Sequence, residues 1–211
     1  LWFYLAVCMV AGALAVSILI AKGGYSFKSA LMEGLFQVIS IITTTGYSTA
    51  DYLKWPLPGV VLIFLLFFTG ACTGSTTGNI KMARHLLVLK NVREIFKKLI
   101  HPHAVIQIKL NERILDWNLN ISILSFVVLY LFIFLVSSVI VAINGFDLLT
   151  SVSAVASSMG NIGPGFGSIG PAFNYSHFPD LLKVFLSFLM IVGRLELLTV
   201  LLIFVPEFWK K

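Results

Sequence analysis

The chain has 211 residues, of which 58% are hydrophobic and only 11% are charged. Soluble domains carry roughly 25% charged residues, so the composition excludes an ordinary soluble globule and points to an integral membrane protein. Fifteen Lys and Arg against nine Asp and Glu give a net charge of +6, and the placement of that charge says more than its size.

A membrane-crossing helix needs about 20 apolar residues, and segments 1–21, 57–89 (interrupted), 117–143 and 181–205 reach that length. Leu1 opens inside the first of them with no initiator Met and no basic stretch ahead. The segment is therefore read as a span rather than a signal peptide, and the chain is expected to be part of a larger protein. Lys22-Gly23-Gly24 turns the first span. Residues 29–42 (SALMEGLFQVISII) predict a helix of about four turns, too short to cross. The polar run Thr43-Thr44-Thr45-Gly46-Tyr47-Ser48-Thr49 follows, Gly46 reverses the chain, and Pro56-Leu57-Pro58 starts the return span.

That return span is interrupted over residues 69–79, where Gly70, Gly74 and Gly78 recur at four-residue spacing among Thr and Ser. Small residues at this spacing also serve close helix packing. Three glycines, however, each weaken a helix by about 1 kcal/mol against alanine, and nearby hydroxyls can satisfy the freed backbone. The reading is a flexible intramembrane loop that gates a path, with Gly70, Thr73, Gly74, Ser75, Gly78, Asn79 and Lys81 as its residues. It is not a phosphate-binding loop, which needs G-x-x-x-x-G-K-[S/T].

Basic residues then cluster: Lys81, Arg84, Lys90, Arg93, Lys97, Lys98, Lys109 and Arg113, with Lys210 and Lys211 closing the chain. By the positive-inside rule this linker and the C-terminus face the cytoplasm and the glycine turns face outward. Topology accounts for the charge, so no nucleic-acid role is read into it. His101-Pro102-His103 lacks further metal ligands and reads as a cytoplasmic turn.

The second half repeats the first. Residues 117–143 span, Asn144-Gly145 turns, 148–159 is again too short to cross, Asn161-Ile162-Gly163-Pro164-Gly165 reverses the chain, and 181–205 returns. The architecture expected is all-α and polytopic, with two parallel span, re-entrant pore helix, span units. Residues 1–90 form one unit, 91–116 a basic cytoplasmic linker and 117–211 the other. A helix C-terminus carries a partial negative charge, and both short helices aim theirs toward mid-membrane. Loops there can turn backbone carbonyls inward to replace an ion's hydration shell. Thr44, Thr45, Gly46 and Tyr47, with Asn161, Ile162, Gly163 and Pro164, are the candidate cation ligands. Two loops cannot encircle an ion, so two more are expected from elsewhere.

Arg194 lies midway along the last segment, where a charge costs at least about 2.5–3.5 kcal/mol. Glu196, two residues on, points away from it on a helix. Arg194 is expected to face the ion path and contact the intramembrane loop as barrier or latch. The G-x-G-x-x-G match at residues 165–170 lacks the strand and helix of a dinucleotide site. Cys8 and Cys72 read as free thiols. Trp2, Trp55, Trp117 and Trp209 fall near span ends, as interfacial anchors do. Asp51, Asp147 and Asp180 suit either cation enrichment or helix-end roles. Asn120-Ile121-Ser122 and Asn174-Tyr175-Ser176 match a glycosylation pattern, but neither is read as a modified site. No carboxylate pair, Ser/His pair or metal cluster suggests an enzyme, and no bound cofactor is expected.

Taken together, these motifs resemble the C-terminal half of the Trk/Ktr/HKT superfamily, in its TrkH/TrkG-type branch. The run Ser40-Ile41-Ile42-Thr43-Thr44-Thr45-Gly46-Tyr47 with Ala50-Asp51-Tyr52 is similar to the third filter repeat. Residues 68–81 resemble its interrupted inner helix, and residues 161–167 with Gly193-Arg194-Leu195-Glu196 the fourth repeat. His101-Pro102 followed by Val105 fits the linker. One departure is Asn79, where a GGIK-type ending would have glycine. The resemblance implies a four-repeat, pseudo-tetrameric cation channel fold in a bacterial inner membrane, usually a homodimer, with K⁺ as the transported ion. It also implies an N-terminal half of the same pore and a cytosolic nucleotide-binding regulatory subunit of the TrkA/KtrA kind. The alternatives are a two-repeat channel completed by homodimerisation and a sodium-permeable relative.

Overall fold

Apolar side chains on every face produce two long helices, α1 (Trp2–Gly23) and α5 (Trp117–Ile143), each long and apolar enough to cross a bilayer. They belong to a computed structural model that describes residues 2–101, 109–110, 113–114, 116–195, 197–203 and 205–210. Leu1, Pro102, His103, Val105, Glu196 and Lys211, named above, lie outside the described residues.

After α1, Ser26 caps α2 (Phe27–Ile42) by accepting from the Ser29 amide at 3.3 Å. A 3-10 turn at Tyr52–Lys54 leads through Pro56 into α3 (Leu57–Leu66). The chain then leaves the helix. Thr69–Gly70 (β1) and Ile80–Lys81 (β2) pair in parallel, so the intervening segment is a loop closed at its neck. Helix α4 (Met82–Ile100) follows. The short strands β3 (Lys109–Leu110) and β4 (Arg113–Ile114) pair antiparallel between α4 and α5. Asp147 caps α6 (Leu148–Gly160) by accepting from the Thr150 amide at 3.1 Å, and hydrogen bonds from the Thr150 side chain first, then from backbone amides, hold its carboxyl below the usual range. A 3-10 turn at Gly167–Ile169 precedes α7 (Asp180–Arg194), α8 (Leu197–Leu202) and α9 (Pro206–Trp209).

The order long helix, short helix, glycine loop, 3-10 turn, helix therefore occurs twice. In each set the long helix packs along the short one, α1 on α2 and α5 on α6, with α7 also on α6. The halves are keyed together by Phe166. Its ring, fully buried, lies 5.2 Å from that of Tyr52, 5.7 Å from Phe64 and 5.2 Å from Phe67, so a side chain of the second half plugs the first.

Two expectations change, and one left open is decided. Segment 181–205 is not one continuous helix: α7 ends at Arg194, and Leu195 leaves helical geometry before α8. The break sits where this helix meets another element: Gly193 lies so close to the Met159 carbonyl oxygen, at the end of α6, that a Cβ there would overlap it. Trp55 is not an interfacial anchor. It is 4% exposed and packs in the core, whereas Trp2, Trp117 and Trp209 are exposed. Asp180 pairs with Lys183 at 3.1 Å, and Asp51 accepts from the Leu53 amide at 3.2 Å, so both take helix-end roles.

Helices α4 and α5 are joined by a reciprocal amide pair. Asn91 Nδ2 donates to Asn120 Oδ1 and Asn120 Nδ2 to Asn91 Oδ1, both at 2.8 Å. Asn120 is buried, which removes it as a glycosylation acceptor. Replacing one partner strands the other's polar atoms, at about 1–3 kcal/mol. Asn120→Ala is therefore expected to lower the thermal midpoint of the detergent-solubilised protein, whereas an equivalent change at exposed Asn144 leaves it in place.

Candidate functional site

The two glycine loops are built alike. At the end of α2, Thr44 N–H bonds to Ile41 O at 3.0 Å and Thr45 N–H to Ser40 O at 2.8 Å. At the end of α6, Asn161 N–H bonds to Ser158 O at 3.1 Å and Ile162 N–H to Ser157 O at 3.0 Å. This pair of bonds, with a left-handed residue after the helix, is the Schellman termination. Thr44 (φ 53°) and Asn161 (φ 55°) hold the left-handed position, and Gly46 (φ 77°) and Gly163 (φ 112°) follow two residues later. Ser40 and Ser157 occupy matching places in the last turns. The Ser40 hydroxyl donates to Tyr47 O at 2.6 Å, and the Ser157 hydroxyl accepts from Gly163 N–H at 3.0 Å.

The loops also meet, although more than a hundred residues separate them in sequence. Gly46 lies directly against the Ile162 carbonyl oxygen, with no space for a Cβ. The buried Tyr52 hydroxyl donates to Gly165 O at 2.6 Å, and loss of solvation pushes that phenol well above its ordinary range. The Tyr175 hydroxyl donates to Gly163 O at 3.1 Å, and burial moves its pKa up to about 12. Beside it a cavity of about 250 Å³ is lined by Ser157, Gly163, Tyr175, Lys183 and Met190.

Of the eight candidate ligands, Tyr47 and Gly163 thus have carbonyls already engaged by protein hydroxyls. Those of Thr44, Thr45, Gly46, Asn161, Ile162 and Pro164 accept no hydrogen bond among the described residues. Pro164 lies beside Gly46, its Cδ 3.4 Å from the position a Cβ there would take.

The segment between β1 and β2 is a structured loop. Ala71 N–H donates to Thr77 Oγ1 at 3.1 Å, Thr77 N–H to Ser75 Oγ at 3.2 Å, and Met82 N–H to Ala71 O at 3.2 Å. Lys81 Nζ reaches Thr73 O at 3.4 Å, and the Arg194 guanidinium donates to Thr76 O. Gly70 lies inside the neck, where a Cβ would sit 2.7 Å from Gly78 O. Thr73 and Gly74 form an exposed tip, while Gly78 and Asn79 are buried against the end of α6. Cys72 and Cys8 are free thiols, and no group of metal-ligating side chains occurs among the described residues.

Sequence reasoning assigned no role to Ser40, Ser157, Tyr52, Tyr130 or Tyr175. Ser40 and Ser157 carry a readable signal, each lying four residues before the left-handed position. Tyr52 stood only within the filter-repeat resemblance, and its bond to Gly165 spans 113 residues; nothing in the local pattern marks Tyr130 or Tyr175.

Two helices long and apolar enough to cross a bilayer, packed with two short loop-terminated helices and a broken helix, define a helical membrane protein. The chain belongs to the TrkH family of cation transport proteins, whose model matches residues 3–211. It is 36% identical over 187 residues to the Trk system potassium uptake protein TrkH of Halomonas elongata, covering 89% of this chain and 38% of that protein. It is 32% identical over 188 residues to the Trk system potassium uptake protein TrkG of Escherichia coli, covering 89% and 38%. The crystal structure of the potassium transporter TrkH from Vibrio parahaemolyticus superposes with a TM-score of 0.91 at 32% identity, covering 99% of this chain and 44% of that one. The chain thus spans about two fifths of the length of the curated relatives it matches.

The two loop glycines are expected to respond differently to substitution. An L-residue in the left-handed region costs roughly 1–2 kcal/mol. Gly163→Ala meets that strain alone, since nothing lies within 4 Å of its Cβ position. Gly46→Ala adds overlap with the Ile162 carbonyl, so its thermal midpoint should fall well below that of Gly163→Ala; equal midpoints would contradict the loop contact.

Proposed function

We propose that this chain forms the C-terminal half of the pore of a Trk-type potassium uptake protein in a bacterial inner membrane. The observation that carries the reading is the meeting of two Schellman-terminated loops, Gly46 against the Ile162 carbonyl. Each loop caps the negative end of a short helix. Helices α2 and α6, of 16 and 13 residues, are too short to cross a bilayer and enter it from outside as re-entrant pore helices. Residues 1–90 act as the third pore repeat and 117–211 as the fourth, with 91–116 as the cytoplasmic basic linker. The names of the relatives, all Trk system potassium uptake proteins, support K⁺ as the ion.

In this reading K⁺ sheds water and passes between unengaged carbonyls of Thr44, Thr45 and Gly46, those of Asn161 and Ile162, and those of two further loops. The Tyr47 and Gly163 carbonyls, taken up by Ser40 and Tyr175, brace the filter. Non-helical backbone at membrane depth is tolerated where it lines a water-filled path, and both the filter loops and the segment 70–79 fit that condition. The segment obstructs the path below the filter, anchored at Thr76 by Arg194, whose charge also repels cations. A cytosolic nucleotide-binding subunit of the TrkA/KtrA kind draws the segment aside, and the assembled protein is a homodimer.

The test is radioactive rubidium uptake by proteoliposomes of the full-length protein, with Na⁺ as competitor. Uptake should be little reduced by excess Na⁺ and should rise when residues 70–79 are deleted. Uptake that Na⁺ suppresses as well as K⁺ does would mark a sodium-permeable relative. Flux unchanged by the deletion would overturn the gate.

A further inference from the structure

At the exit of the proposed gating loop, the Asn79 side chain meets two neighbouring helices. It holds a left-handed backbone (φ 67°) and is 4% exposed. Asparagine tolerates that conformation better than most residues other than glycine, so the loop exit keeps a glycine-like backbone while gaining a polar side chain. Tyr130, 1% exposed on α5, donates its hydroxyl to Asn79 Oδ1 at 3.0 Å. On the other side the amide presses on Gly160, the last residue of α6. A Cβ on Gly160 would lie 2.6 Å from both Oδ1 and Nδ2. The preceding residue closes the contact, since a Cβ on Gly78 would lie 2.6 Å from Gly160 O. Residue 160 immediately precedes the second glycine loop. The side chain therefore ties the loop exit to α5 and to the helix that presents Asn161 and Ile162.

The tie is only half satisfied. Asn79 Nδ2 is buried with no hydrogen-bond partner among the described residues. A buried polar group without a partner disfavours the state that buries it. The arrangement that fastens the loop through Oδ1 therefore also strains it through Nδ2, and moving Asn79 into water would satisfy the amide while stranding the Tyr130 hydroxyl. Two opposed contributions on one side chain suit a latch that must hold and yet release.

We propose that the Asn79–Tyr130 hydrogen bond, seated in the space left by Gly160, is a latch that holds the intramembrane loop in its obstructing position and couples it to the second filter loop. The inference rests on the reading of residues 70–79 as the gate and names the side-chain pair that sets its resting position. Asn79 and Tyr130 are positioning residues, since neither lines the proposed filter.

The test is rubidium flux through the full-length protein in proteoliposomes, with and without its cytosolic subunit, for Tyr130→Phe, Asn79→Gly and the double variant. Tyr130→Phe keeps the ring and its packing and removes only the donor. Subunit-independent flux should rise about two- to twelvefold, the range that loss of one neutral hydrogen bond gives, while subunit-stimulated flux changes little. The double variant should exceed neither single variant appreciably, because both remove the same bond. Flux in Tyr130→Phe equal to wild type would overturn the latch, as would fully additive effects. Deletion of residues 70–79 is run alongside. If the deletion raises flux and Tyr130→Phe does not, the latch fails and the gate stands; if the deletion also leaves flux unchanged, the gate reading itself fails. Should Asn79→Gly not fold, Tyr130→Phe alone decides.

Discussion

The arrangement depends on the contact between Gly46 and the carbonyl of Ile162, locked by Phe166 among Tyr52, Phe64 and Phe67. Each loop alone is an ordinary helix ending. A Schellman termination satisfies the last carbonyls of a helix and redirects the chain, and such endings occur throughout proteins without any ligand. Here two of them are brought edge to edge, and one has no room for a Cβ against the other. The bond from Tyr52 to Gly165 fixes the register of that meeting, and bonds from Ser40 and Tyr175 take up carbonyls at its margins. Backbone oxygens left over are then confined to a small region beside two negative helix ends.

The interrupted helix answers a different requirement. Breaking a helix in an apolar environment leaves amides and carbonyls that must find partners. Hydroxyls of Thr77 and Ser75 accept from backbone amides, a two-residue parallel bridge closes the neck, and Arg194 donates to Thr76 O. The loop is thus a defined object with an exposed tip at Thr73 and Gly74 and a buried exit at Gly78 and Asn79. That division suits the proposed gate, in which the tip lies in the path and the exit bears the attachment.

Much of this was legible in the chain because the membrane makes polar interruptions conspicuous. Thr44, Gly46, Asn161 and Gly163 stand out against apolar flanks, and two short helices followed from length alone. The break at Gly70–Asn79 could be read from glycine spacing, but its ordered interior could not, since it depends on which hydroxyl meets which amide. The expectation of one continuous segment over 181–205 failed where the helix meets another element: Gly193 meets the end of α6 at Met159. Trp55 misled for a similar reason, its position near a span end saying nothing of the core formed around it. Setting the Tyr47 and Gly163 carbonyls apart from the other six candidates required seeing hydroxyls arrive from Ser40 and Tyr175.

The central claim is that these unengaged carbonyls of the two loops hold one and the same ion. Anomalous diffraction from crystals of the full-length protein grown in rubidium tests it most directly. The account predicts a rubidium peak on the axis between the loops, coordinated by oxygens of both, including Gly46 or Thr45 and Ile162. Rubidium peaks found only away from these carbonyls, or coordinated by one loop without the other, would contradict it.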